Sequence, residues 1–508
     1  MSWILLPRER KKNMRMNTFV NAVNGQASLN GTKTYTENGA VARSTTGHAL
    51  MDFYAVCGAM RTRTPEEIIQ KFKAALKENP LYATKCLFLT RDIRGGHGER
   101  RTFRIIARWM AENYPMTVIK NFPNIVLMGR IDDFYSFVGT PIENDAFDYL
   151  RGMFKQDLIN MRENKPVSLT AKWLKSVNTS SQESRKLARL TAKKFGLTER
   201  EYRKSLARLR NYISVVEVKM SANQWMDIDY SQVPSRAMHI YKDAFKRHNP
   251  AAFDTFIEKV ERGEEKINAT TLYPYDLVKN YVDRYYPSDK VNPVIEAQWK
   301  ALPNYIEGEN NILVMADVSG SMYGGPIYSS VGLAIYFAER NKGPFKNLYM
   351  TFSSDPSYMK ISPNQTLCDK IRAVWTNGVG YSTNLEKAML KVLDTCVTNR
   401  VPQKDVPKAL VVISDMEINP YFSGRGLDFV STMAQRFASA GYEMPKIVLW
   451  NVEARNDVFH ASYNNPYVQF ATGQSPSTFK RVLDGLMVSP VEAMYKALDN
   501  PRYDSVVF

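Results

Sequence analysis

At 508 residues, with 44% hydrophobic side chains, the chain has ample apolar mass for a core and exceeds the size at which a single core keeps growing, so two or more domains are expected. Its formal charge of +17 is unevenly placed: residues 1–300 hold 49 Lys+Arg against 32 Asp+Glu, whereas residues 301–508 hold 19 of each. The excess points to a polyanionic partner for the first part, and the lack of any long apolar run excludes a membrane span.

The start, Met1 to Pro7, is too short for the apolar region of a secretory signal and runs into Arg8, Arg10, Lys11 and Lys12 on its wrong side, so a cytoplasmic protein is expected. Cys57, Cys86, Cys368 and Cys396 lie far apart with no Cys-x-x-Cys pair, which reads as buried free thiols in a reducing compartment.

Residues 1–35 are polar and rich in Asn, Thr and Gly, and are expected to form a loosely ordered arm. From 36 to 300 the pattern is helical. Pro65 to Lys77 opens with Pro and two acids, as a helix start should, and carries an apolar stripe of Ile68, Ile69, Phe72, Ala75 and Leu76. Thr102 to Tyr114 repeats the pattern until Pro115 stops it. Further helices are predicted at 144–161, 168–177, 184–196, 198–213, 234–248, 251–262 and 274–286. Their short connections suggest a helical-repeat array, without an exact sequence period.

Two segments of this region are candidate anion binders. Lys165 to Arg210 holds thirteen basic and three acidic residues, and its cations recur on several helical faces. Lys172, Lys175, Arg185, Lys186, Arg189, Lys193, Lys194, Arg203, Lys204 and Arg208 read either as a solvated helix pair or as a nucleic-acid surface. The imbalance is too large to be neutralised locally, which favours the second. Arg91 to Arg101, RDIRGGHGERR, sets three glycines among Arg91, Arg94, Arg100 and Arg101 just ahead of a helix. Such a segment can cradle a phosphate. It can equally be a tight turn with Arg91 and Arg94 paired to Asp92 and Glu99, and it lacks the Gly-Lys-Ser/Thr ending of a Walker loop.

After Pro303, strand-like apolar runs at 312–316, 347–352, 409–414, 446–451 and 466–471 alternate with helices at 326–340, 366–374, 384–397, 427–440 and 477–487. That alternation predicts a doubly wound α/β sheet. Asn311 to Met322, NILVMADVSGSM, is its focus: a buried strand that delivers Asp317, Ser319 and Ser321 at its carboxyl end, where such sheets place their sites. Thr383, just ahead of the 384–397 helix, and Ser414-Asp415, at the end of a second buried strand, supply another hydroxyl and another carboxylate. All are hard oxygen donors, suited to Mg²⁺ or Mn²⁺.

An enzymatic reading finds little support. A haloacid-dehalogenase-type phosphatase needs an acid where Ser319 stands, no Gly-x-Ser-x-Gly elbow surrounds either serine, and the five histidines fall in no metalloprotease spacing.

The spacing of Asp317, Ser319, Ser321, Thr383 and Asp415 resembles the metal-ion-dependent adhesion site of von Willebrand factor A domains. The resemblance implies two serines and a threonine on the metal, two aspartates anchoring it, and an open position for a partner's carboxylate. Ser382 and Met416 stand where that family commonly has glycine. Thr36 to Arg61, Thr90 to Arg101, Ile312 to Met322, Thr351 to Pro356, Ile413 to Ile418 and Pro445 to Val452 also look like an uncharacterised family of bacteria, phages and some eukaryotes. Its members join a helical region to a C-terminal von Willebrand A domain. More distantly, the order and the Arg-Gly-Gly-x-Gly-Glu-Arg segment resemble the Ro ribonucleoproteins, whose TROVE module binds RNA. These resemblances imply a polar arm (1–35), a basic helical module (36–300) expected to bind structured RNA, and a von Willebrand A domain (305–508) expected to bind Mg²⁺ and dock an acidic protein partner without catalysis. The alternative is a structural, assembly or virion-associated protein using the same metal site for adhesion.

Overall fold

The computed structural model describes residues 33–283, 286–306, 311–377, 383–420 and 429–508, so most of the expected polar arm lies outside the described residues. Its helices are α1 (Ala49–Val56), α2 (Pro65–Glu78), α3 (Pro80–Arg91), α4 (Arg101–Asn113), α5 (Pro115–Lys120), α6 (Phe122–Met128), α7 (Glu143–Arg162), α8 (Thr170–Trp173), α9 (Gln182–Phe195), α10 (Glu199–Tyr212), α11 (Val216–Ser221), α12 (Ser235–His248), α13 (Pro250–Glu261), α14 (Pro274–Val278) and α15 (Pro293–Lys300), then α16 (Pro326–Arg340), α17 (Leu367–Asn377), α18 (Leu385–Thr398), α19 (Phe429–Ser439), α20 (Thr478–Gly485) and α21 (Pro490–Leu498). Two short antiparallel hairpins, β1–β2 (Lys33–Tyr35, Val41–Arg43) and β3–β4 (Val282–Asp283, Tyr286–Pro287), flank the helical part.

The main sheet holds β5 (Ile312–Asp317), β6 (Leu348–Phe352), β7 (Tyr358–Lys360), β8 (Ala409–Ser414), β9 (Lys446–Asn451) and β10 (Val468–Thr472) in the order β10-β9-β8-β5-β6-β7. All neighbours are parallel except β7, which runs antiparallel to β6 and is the one strand the apolar runs do not announce. Numbered within the sheet, this is the doubly wound order 3-2-1-4-5-6, whose direction of winding reverses between β5 and β8. Ile312 to Ala316 pair with Ala409 to Ile413, so the two strands end side by side.

Because successive strand residues face opposite sides, β5 feeds two cores. Leu313 and Met315 join one apolar cluster, while Ile312, Val314 and Ala316 join another. The second cluster holds α16, α17 and α20, and also α14 and α15 with Leu277, Ile295 and Trp299, so the last helices before residue 300 belong to the sheet's packing. The first cluster is continuous from Ala42 through α1 to α10 and on to Leu410, Val412, Phe470 and Leu498. A third, smaller one is built by α11 to α13 around Met238, Phe245 and Phe253. The helical part is thus not one stacked array: part of it shares a core with each face of the sheet.

Several helix starts follow from local chemistry. Thr64, Thr198 and Ser489 each form a capping box with a Glu three residues on, and Pro opens α2, α3, α13, α15 and α21.

Polar contacts seal the seam between the helical part and the sheet. Arg63 donates to Asp457 at 2.7 Å and to the Ala454 carbonyl at 2.7 Å, and Lys71 meets the same Asp457 at 2.6 Å. Asn121 and Asn124 donate to the carbonyls of Val507 and Ser505 at 2.7 and 2.9 Å, holding the C-terminal tail against α5 and α6. Asp92, fully buried, is gripped by two of the three guanidinium nitrogens of Arg502, Nε and Nη2. Burial raises its carboxyl pKa, but Arg502 and the loop amides outweigh that and hold it below the usual carboxylate value.

This pairing can be checked by urea denaturation. Arg502→Ala leaves the Asp92 charge buried without its partner and is expected to lose about 3 kcal/mol of stability near neutral pH. Since the native pKa of Asp92 is depressed, its contribution is fully present above the unfolded value of about 4 and fades as pH falls through the native one. The gap between wild type and variant should therefore narrow in acid; a gap unchanged down to about pH 3 argues against the assignment.

Candidate metal centre

The candidate ligands gather at the carboxyl edge of β5 and β8, where the winding reverses. Asp317 is fully buried; its Oδ1 accepts from the Ser319 amide at 2.9 Å and its Oδ2 from Ser414 Oγ at 2.6 Å. The first bond folds the chain back after β5, and the turn Gly320–Met322 brings Ser319 Oγ and Ser321 Oγ to 3.2 Å from each other. Asp415, also buried, accepts from the Glu417 amide at 3.2 Å through Oδ1 and from the Arg455 guanidinium through Oδ2. Thr383 is 1% exposed and donates to Asn419 Oδ1 at 3.0 Å, while the Asn419 amide donates back to the Thr383 carbonyl at 3.0 Å. Asp317, Ser319, Ser321 and Asp415 are therefore linked in one network, and Thr383 is fastened to the loop that follows Asp415. Ser382, like residues 378–381, lies outside the described residues.

Met416 adopts φ 68°, the left-handed region that favours glycine. Its amide donates to Ser414 Oγ at 3.0 Å and its carbonyl lies 3.0 Å from His460 Nε2, so the unusual backbone is pinned on both sides.

The electrostatics of the centre are those of two buried aspartates, with buried Glu417 beside Asp415 and the Arg455 guanidinium as the cation that reaches it. Burial, and next the charge of Asp415, push the Asp317 carboxyl up to about 7, against the hydrogen bonds from Ser414 and Ser319. Among the described residues no group of three or more His, Cys, Asp or Glu side chains is placed to hold a metal, so any ion here relies on hydroxyls as much as on carboxylates.

Arg455 is the residue that motif reading misses. It follows β9, the next strand along the same edge, and joins Asp415, the Ser321 carbonyl at 3.0 Å and Glu37 at 3.5 Å. Glu37 sits in the turn of the β1–β2 hairpin, whose Thr36 Oγ1 donates to the Ile418 carbonyl at 2.8 Å and whose Glu37 amide donates to Glu417. The strand order alone would have put a residue just past β9 beside the end of β8. Nothing in the linear sequence brings Glu37 there.

The basic candidates separate into buried and exposed groups. Arg91 is 1% exposed and its Nε donates to Asp133 at 2.7 Å, so it is a core ion pair and is removed from any nucleic-acid surface. The turn Arg91–Arg101 uses different partners from those expected: Asp92 takes Arg502 and Glu99 takes Arg61. Its amides are also consumed internally, Gly96 and Gly98 donating to the Asp92 carbonyl and His97 to that of Leu89, which leaves no amide cradle for a phosphate at those positions. Arg94, Arg100 and Arg101 remain exposed, although Arg101 donates to the Arg63 carbonyl at 2.8 Å. Arg185 is tied to the Thr179 and Ser180 carbonyls, Lys194 to Glu143 and Arg189 to Glu199. Lys172 and Lys175 are half-buried over the rings of Trp173 and Tyr135. Lys186 and Lys193 on α9 and Arg203, Lys204 and Arg208 on α10 stand exposed.

The sequence is matched by two families described as domains of unknown function: DUF2828 over residues 36–139 and 167–311, and DUF7788 over residues 311–503. It is 27% identical, over 509 aligned residues, to an uncharacterized protein of the Acanthamoeba polyphaga mimivirus; the alignment covers 92% of this chain and 87% of the viral one. The resemblance to uncharacterised families thus extends along nearly the whole chain and includes a viral relative. No described helix is long and apolar enough to cross a membrane.

Proposed function

We propose that the protein is a non-enzymatic RNA-binding protein whose sheet domain is of the von Willebrand A type and docks a protein partner through Mg²⁺ or Mn²⁺. The observation that carries the metal reading is the set of paired hydroxyls, Ser319 and Ser321 at 3.2 Å, beside two buried carboxylates at the edge where the sheet reverses. The donor set fits a hard divalent ion: the hydroxyls of Ser319, Ser321 and Thr383 supply neutral oxygens, and Asp317 and Asp415 supply charge. Both carboxylates already accept from the protein, which suits an anchoring role through water. A bound divalent cation would act as a Lewis acid that holds a carboxylate from the partner. Ser319 and Ser321 orient it, Asp317 fixes their turn, and Arg455 competes for Asp415.

The RNA reading rests on α9 and α10. Their exposed Lys186, Lys193, Arg203, Lys204 and Arg208 have no carboxylate within ion-pair distance among the described residues, and such a surface gives salt-dependent, sequence-independent affinity for phosphates.

Titration of the full chain with Mn²⁺ should show one site, and Asp317→Asn should weaken it at least about tenfold, roughly 1.4 kcal/mol; equal affinity in wild type and variant would remove the metal. Removing the competing cation with Arg455→Ala is expected to tighten Mn²⁺ by about tenfold, through lost charge repulsion; weaker binding would mean that Arg455 supports the site. For RNA, filter binding at two salt concentrations should give a steep loss with salt, and Lys204→Ala with Arg208→Ala should lower the logarithmic slope by about 2. Salt-independent binding, or none, would sink the RNA part; a stable protein complex free of nucleic acid would favour the assembly reading.

A further inference from the structure

A cavity of about 220 Å³ lies on the seam between the helical part and the sheet domain, away from the candidate metal centre and from α9–α10. Five segments wall it: the Arg-Gly-Gly turn through Arg94 and Gly95, the stretch after α15 through Tyr305, helix α20, helix α21, and the C-terminal tail. Its charges are one-sided. Arg94, Lys480, Arg481, Lys496 and Arg502 line it, and Asp484 is the only acid among its lining residues.

Of these cations only Arg502 has a carboxylate partner among the described residues. Arg502 is paired with the buried Asp92 behind the wall. Arg481 donates to the Gly95 carbonyl and to Thr478 Oγ1 at 2.8 Å, and Lys496 donates to the Asp484 carbonyl at 3.0 Å, so neutral oxygens orient both. Arg94 and Lys480 are exposed, with no ion pair or side-chain hydrogen bond among the described residues. Like charges held around one cavity repel. An arrangement that fixes two of them through carbonyl and hydroxyl oxygens keeps their charge available for something else.

We propose that this seam cavity binds a small phosphomonoester. Phosphate carries between one and two negative charges near neutral pH and three acceptor oxygens, which matches several converging donors better than a carboxylate does. Guanidinium forks suit phosphate oxygens in pairs, and lysines add point charge. The volume exceeds what bare phosphate needs, and Tyr305 on the same wall offers surface for an organic moiety. The source is either free inorganic phosphate or a phosphorylated metabolite, and the shared chemistry is the phosphoryl dianion. The site is independent of the proposed metal and RNA binding, since it shares no residue with the metal centre or with α9–α10.

Isothermal titration of the full chain with ribose 5-phosphate, with inorganic phosphate and with ribose, at constant ionic strength, tests the proposal. Ribose 5-phosphate is expected to bind at a single site, ribose not at all, and the double variant Arg94→Ala, Lys480→Ala to weaken the sugar phosphate at least tenfold. Both side chains are exposed, so the variant should fold, which circular dichroism checks. The control pair Lys186→Ala, Lys204→Ala should leave the affinity unchanged. Inorganic phosphate binding as tightly as the sugar phosphate, with the same loss in the double variant, supports the site and names phosphate as its ligand. Absence of binding by both phosphates, or equal binding by wild type and the double variant, overturns it.

Discussion

The arrangement of this protein depends on one continuous apolar core that begins in the helices near the start of the described chain and runs into one face of the sheet. From Leu50 and Phe53 on α1 to Phe470 on β10 and Leu498 on α21 no solvent layer intervenes. Burial on this scale is the main force that orders the two parts relative to each other. Some of the polar groups on the seam, Asp92, Asn121 and Asn124 among them, are buried with it, where leaving one partner unpaired is far more costly than at a surface.

That shared core changes what the candidate metal centre is. Seen along the chain, the five oxygen donors belong wholly to the sheet. In three dimensions the β1–β2 hairpin lies against the loop after β8, Thr36 and Glu37 meet Ile418 and Glu417, and Glu37 shares Arg455 with Asp415. Anything that moves Arg455 acts on both a buried carboxylate and the hairpin. The proposed docking site is therefore coupled mechanically to the region that precedes the helices, with the helical core as its rigid support.

The Arg-Gly-Gly turn illustrates how one motif can divide between roles. Its glycines are required by close packing: a Cβ at Gly96 would collide with the Leu89 carbonyl, and one at Gly98 with the Tyr273 hydroxyl. Its buried members, Arg91 and Asp92, belong to the ion pairs with Asp133 and Arg502. Only its outward face, at Arg94, contributes charge to the seam cavity. Arginines beside glycines are compatible with either a phosphate cradle or a tight turn. The turn is what forms, although the partners that satisfy it come from elsewhere in the chain.

Periodicity, prolines and acids at helix starts, and the order of apolar runs were sufficient, in the sequence alone, to place most long helices, five of the six strands of the sheet and the edge on which Asp317 and Asp415 appear. These are local properties: a strand buried on both faces is apolar throughout, and a helix start is marked by a proline and acids within one turn. Tertiary structure alone decided that the helical part and the sheet share a core, that α14 and α15 belong to the sheet, that Arg91 is buried, and that Arg455 and Glu37 stand beside the carboxylates. Each of those facts depends on residues tens to hundreds of positions apart, brought together by packing that no short window of sequence encodes.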